Sequence, residues 1–203
     1  LVAHSMRSPA PARNLLVTLR GRECDRPPVV IMTPRSSWWQ STAERGGGIV
    51  CWLASLHALI AAPPACDVVF TANSGHELGH LGLEDFLARR PGWETRALWL
   101  HYGANLGAAG GELSVLSASD ELYALAAAEL GRAGQRPDTA MPKTAVPSGE
   151  TRDIHRAGGR YITLVGSNPF FHLPQDRLPH AVDLAALARI AAGAARLALA
   201  LTR

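Results

Sequence analysis

The residues with the most chemical potential lie between positions 67 and 90, where His76-Glu77-Leu78-Gly79-His80 spells HExxH. On a continuous helix that spacing puts two imidazoles one turn apart on one face to bind zinc, with the glutamate polarising water. Here Gly75 precedes the pattern, and Gly79 and Gly82 lie in and just after it. Each glycine costs a helix about 1 kcal/mol relative to alanine. We therefore read the match as coincidental and the His-Glu pair as part of a loop. Val68-Val69-Phe70 before it has the character of a buried strand, Asn73-Ser74-Gly75 signals a turn, and Leu83-Glu84-Asp85-Phe86-Leu87 follows as an amphipathic helix. A strand, a loop carrying His76 and Glu77, then a helix is where α/β enzymes place their chemistry, at the carboxyl ends of strands.

Other candidate chemistry is thinner. Cys24, Cys51 and Cys66 have no CxxC spacing and are odd in number, which fits neither a disulfide framework nor a zinc knuckle. Cys51, inside an apolar helical run, reads as a small core residue. The glycine-rich residues 107–111 lack both GxGxxG spacing and a Gly-Lys-Ser/Thr, so they are not read as a phosphate cradle. The 20 basic residues barely exceed the 17 acidic ones, and all but Lys143 are arginine. They are scattered and not interleaved with aromatics, which gives no nucleic-acid interface. His4, His57, His155 and His180 are assigned to surface or packing roles, and Trp38-Trp39 to packing over the sheet edge or to lining a pocket.

The elements that must position these groups alternate. Strands are expected at residues 14–19, 29–32, 68–70, 97–100 and 161–165. Helices are expected at 49–61 (Ile49, Leu53, Leu56 and Ile60 at helical spacing), from Leu83 to Pro91, from a Ser117/Asp120 capping box to about Gly131, and at 182–201. Residues 33–48 are read as a loop and 135–159 as the longest poorly structured stretch. Asp183, Arg189 and Arg196 speak against a membrane span in the last helix, so no membrane insertion is expected. The 203 residues are read as one domain spanning 1–203, a three-layer α/β/α sandwich with a mostly parallel, mixed sheet. Because the chain opens on Leu1, an N-terminal portion is expected to precede it.

From about Asn14 to Leu201 the order of elements and residues resembles the zinc aminopeptidases with a co-catalytic two-metal site, a group that includes relatives of glutamate carboxypeptidase, the transferrin receptor ectodomain and glutaminyl cyclase. Their His-x-Asp position falls in Thr33-Pro34-Arg35-Ser36, which offers neither ligand. Their bridging aspartate, in a Gly-x-x-Asp-Asn-x-Ser-Gly segment that opens a helix, aligns with Glu44 in Glu44-Arg45-Gly46-Gly47-Gly48, and their Glu-Glu pair with His76-Glu77. Their post-strand aspartate aligns with His101, and their final histidine with His172 in His172-Leu173-Pro174-Gln175-Asp176.

The resemblance implies that one metal site survives, with Glu44, Glu77 and His172 as ligands of a single zinc, while the other ligand set is gone. It further implies His76 as general base, Arg35 or His101 as oxyanion helper, and hydrolysis of a peptide or small amide as the activity. Arg35 could also place a guanidinium where the lost cation would sit. An alternative stands beside it: Glu44, Glu77, the arginines and the histidines could satisfy one another without metal. The chain would then be a catalytically inactive relative that binds a ligand or partner protein, as the transferrin receptor ectodomain does. An aminoacyl cyclase with the same one-metal site is a third reading. An extracytoplasmic location comes only from the resemblance.

Overall fold

The computed structural model describes residues 4–6, 8–23, 25–140 and 145–203, so Cys24 and Lys143 lie outside the described residues. Leu15–Leu19 (β1), Val29–Pro34 (β2), Val68–Asn73 (β3), Leu98–Tyr102 (β4), Leu113–Ser117 (β5), Thr139–Ala140 (β6) and Arg160–Gly166 (β7) form one sheet, in the order β1-β3-β2-β4-β7-β5-β6. The central strands β3, β2, β4 and β7 run parallel. β1 closes one side antiparallel to β3, and β5 joins β7 antiparallel. Every residue of β2 and β3 is buried, as expected of parallel strands covered on both faces.

Among the described residues six helices make the outer layers: Gly47–Ala61 (α1), Leu81–Ala88 (α2), Trp93–Arg96 (α3), Asp120–Arg132 (α4), Thr151–Arg156 (α5) and Leu184–Leu201 (α6). On one face α1, α4 and α6 pack on Ile31, Phe70, Leu100 and Leu164; on the other, Leu83, Phe86, Trp93 and Ile154 cover Val30, Met32, Val69 and Trp99. The three-layer sandwich with a mixed sheet is the architecture expected from the alternation of elements.

Four local expectations are corrected. The apolar period in α1 marks the wrong side, because the buried residues are Cys51, Trp52, Ser55 and Leu59 while Leu53 and Ile60 are exposed. Apolar residues occur all round this helix, so spacing alone could not orient it. The cap of α4 is Ser119, whose hydroxyl accepts from the Leu122 amide at 3.3 Å, and Ser117 instead ends β5. β5 itself, Leu-Ser-Val-Leu-Ser, was not expected. Residues 135–159 hold β6 and α5 where only loop was expected.

Two close approaches tie α1 into the fold. A Cβ on Gly47 would overlap the Leu106 carbonyl oxygen, and one on Gly48 would lie 2.7 Å from Thr33 Oγ1. Inside the same helix Cys51 has no exposed surface, and burial pushes its thiol up to about 12.

Candidate functional site

β2, β3, β4 and β7 all end on the same edge of the sheet, and their carboxyl-terminal loops converge there. After β2 the chain crosses residues 35–41 and enters a π-helical turn, Thr42–Gly46, that runs straight into α1. This turn carries Glu44 and Arg45. It is pinned by Asp176, whose carboxylate accepts from the Ala43 amide at 2.7 Å and the Glu44 amide at 2.9 Å. After β3, Gly75 adopts a left-handed conformation and a 3-10 turn, His76–Leu78, presents His76 and Glu77. Gly79 and His80 are also left-handed, so HExxH lies on broken backbone, as its glycines implied.

Arg45 is the centre of the first cluster. Its side chain is 4% exposed, with Nη2 2.9 Å from Glu77 Oε1 and 3.0 Å from Glu44 Oε1. Its Nε donates to the Ser36 carbonyl at 2.7 Å, and the Ser36 hydroxyl donates to Glu77 Oε2 at 2.7 Å. Burial works against the charge on Glu77, but donation from Arg45 and Ser36 outweighs it and holds the carboxyl below its ordinary range. Glu44 is fully buried and accepts from Ser41 Oγ at 3.2 Å. His172 Nε2 lies 3.4 Å from Glu44 Oε1, on a residue held at φ 60° in the left-handed region, and its carbonyl accepts from Trp39 Nε1 at 3.3 Å.

A second cluster was not anticipated. Glu150, just before α5, is fully buried, with Oε2 3.2 Å from His76 Nδ1 and 3.4 Å from His101 Nε2. Neither contact is a well-aligned hydrogen bond, and both Glu150 oxygens lack one. His101 is oriented by a chain of hydroxyls: Thr163 Oγ1 donates to Thr151 Oγ1 at 2.8 Å, and Thr151 Oγ1 is 2.7 Å from His101 Nδ1. Burial opposes the charge on Glu150, yet the His101 and His76 imidazoles hold its carboxyl well below the ordinary range. Two residues into α5, Asp153 Oδ2 sits 2.8 Å from His80 Nδ1, so residues 76–80 are tied to α5 twice.

The structure thus places Arg45 between Glu44 and Glu77, sets His172 beside Glu44, and brings His76 and His101 to Glu150. Arg35 lies outside both clusters. Its Nη1 donates to the Arg13 carbonyl at 2.8 Å, on the rim of a cleft that Glu77 also lines. The guanidinium between the two carboxylates belongs to Arg45. A zinc ion bound to Glu44 and Glu77 needs oxygens at about 2.0–2.2 Å, in the space that guanidinium fills. The side chains as arranged therefore do not fit a zinc ion, and among the described residues no group of three or more His, Cys, Asp and Glu is placed to hold one. Sequence reading missed Glu150 because it follows Ser148-Gly149 in a stretch with no apolar period.

No family model and no curated protein matches the chain. Solved structures do. A zinc aminopeptidase from Bacillus subtilis superposes with a TM-score of 0.77 at 16% identity over 94% of this chain and 50% of its own length. An aminopeptidase from Aneurinibacillus sp. strain AM-1 gives 0.75 at 15% identity, over 91% and 46%. The gamma-secretase component nicastrin gives 0.67 at 11% identity, over 92% and 43%. The chain spans about half the length of these proteins. A seven-stranded mixed sheet between two helical layers, superposing on these structures along nine-tenths of its length, is the zinc-aminopeptidase fold.

Proposed function

We propose that this chain is a metal-independent binding module on the zinc-aminopeptidase fold, taking a peptide at the carboxyl edge of the sheet. The observation that carries this reading is Arg45, which bridges Glu44 and Glu77 from a buried position. An internal guanidinium supplies the positive charge that two clustered carboxylates require, which balances their charge without an ion even though Glu44 Oε1 lacks an aligned hydrogen bond. The peptide as ligand follows from the peptidases that share the fold. Elemental mass spectrometry on untagged protein incubated with zinc tests the reading: no bound metal is expected, and about one zinc per chain would overturn it.

One observation favours the second reading, a one-metal hydrolase of peptide or small amide bonds: His172 Nε2 lies 3.4 Å from Glu44 Oε1, and a single guanidinium links Glu44 to Glu77. In that reading Arg45 would have to swing out for Glu44, Glu77 and His172 to hold zinc, with His76 as base and Arg35 or His101 as oxyanion helper. Stoichiometric zinc lost in a Glu77→Gln, His172→Ala variant would support it.

A further inference from the structure

Beside Glu77 opens a cleft of about 640 Å³ between the segment leading into β1, the loop after β2 and the loop after β3. Its lining includes Arg13, Arg35, Trp38 and Leu78. Among the described residues that line the cleft Glu77 is the only carboxylate, and its two oxygens are taken by Arg45 and Ser36. Among the described residues neither Arg13 nor Arg35 pairs with a carboxylate. The Arg35 guanidinium is anchored through one nitrogen to the Arg13 carbonyl. That carbonyl also accepts from Ser74 Oγ at 2.7 Å, which fixes the N-terminal segment against the loop after β3. The cleft therefore carries positive charge that no carboxylate among the described residues pairs with, on segments joined by these hydrogen bonds. Beside that charge, Trp38 is 60% exposed and Leu78 68% exposed, both large apolar surfaces left open to solvent.

We infer that this cleft binds a carboxylate that carries an apolar side chain next to it, the chemistry of a peptide's free C-terminus. The inference rests on the metal-independent binding reading and names its ligand. Planar guanidinia pair with carboxylates through two parallel N–H donors, and an indole beside them offers flat apolar area to a neighbouring side chain. Among the described residues no helix of eight residues or more begins at this cleft, so no helix N-terminus aims its amides at a phosphate here.

Isothermal titration with acetyl-Ala-Ala-Leu as the free acid, the same peptide as its C-terminal amide, and inorganic phosphate tests this, with chelator and with zinc. The free acid is expected to bind at least tenfold more tightly than the amide or phosphate. An Arg13→Gln, Arg35→Gln double variant should erase that preference, while Trp38→Ala should weaken acid and amide alike. Both arginines are exposed, so the variants keep the fold. Equal binding of acid and amide, binding of phosphate as tight as the acid, or no binding of the acid would overturn the inference. Binding that appears only with zinc would instead overturn the metal-independent reading.

Discussion

Arg45 Nη2 stands 2.9 Å from Glu77 Oε1 and 3.0 Å from Glu44 Oε1, so one guanidinium joins the loop after β3 to the turn that starts α1. Removing it leaves buried Glu44 without its guanidinium partner, with only the His172 imidazole beside it. Arg45→Ala is expected to destabilise the fold by about 3–5 kcal/mol, the usual result of breaking one side of a buried pair. Arg45→Lys should recover less than half, because an ammonium cannot reach both carboxylates and the Ser36 carbonyl in one plane. Urea unfolding midpoints of the three proteins check this.

Arg45→Asn installs the residue that the resembled Asp-Asn pair carries, and it empties the space between Glu44 and Glu77. Zinc is expected to raise the melting temperature of this variant and leave the wild type unchanged. Adding Glu77→Gln should remove the effect. Thermal scans with and without zinc decide it, and a variant indifferent to zinc would show that Arg45 is not what keeps the ion out.

Acid sensitivity follows from Glu150. Its folded-state pKa lies well below the ordinary 4.5. Between those two values the unfolded chain binds more protons than the native one, so stability rises with pH through that window and is lost as pH falls through the folded value. Glu150→Gln is expected to flatten the stability profile between about pH 2 and 5, measured by urea unfolding at a series of pH values. A profile as steep as the wild type's would assign the acid sensitivity to other carboxylates, Glu77 among them.

Gly47 has no room for a methyl group against the Leu106 carbonyl oxygen, a backbone atom that cannot turn aside. Gly47→Ala should cost about 1–3 kcal/mol, despite the better helix propensity of alanine, because overpacking outweighs it. By contrast Gly131→Ala, where a Cβ meets nothing within 4 Å, should stabilise α4 by a few tenths to about 1 kcal/mol. Thermal denaturation of the pair separates the two effects.

The strands that fill the sheet's centre were legible because β2 and β3 are short apolar runs bounded by turn residues, as in Val29-Val30-Ile31-Met32. β5 was not, since Leu-Ser-Val-Leu-Ser lies between a glycine-rich loop and a helix cap and carries only three apolar residues. In the site, Glu44, Glu77, His172, His76 and His101 stood out through aligned positions at strand and helix ends. Arg45 was visible as Glu44's neighbour, but its reach to Glu77 depends on the π-helical turn, a geometry with no sequence signature. Glu150 meets His76 and His101 only through a docking of α5 that spans 74 and 49 positions of chain, and local spacing carries no trace of it.

Cys51 gives the protein an internal clock. Its sulfur is sealed in α1 and burial pushes its thiol up to about 12, so the reactive thiolate is withheld while the native packing holds. Alkylation of that one atom is expected to proceed through excursions that open the packing around α1. The rate at which native protein is labelled there is therefore a count of how often the helix that carries Arg45's turn lets go.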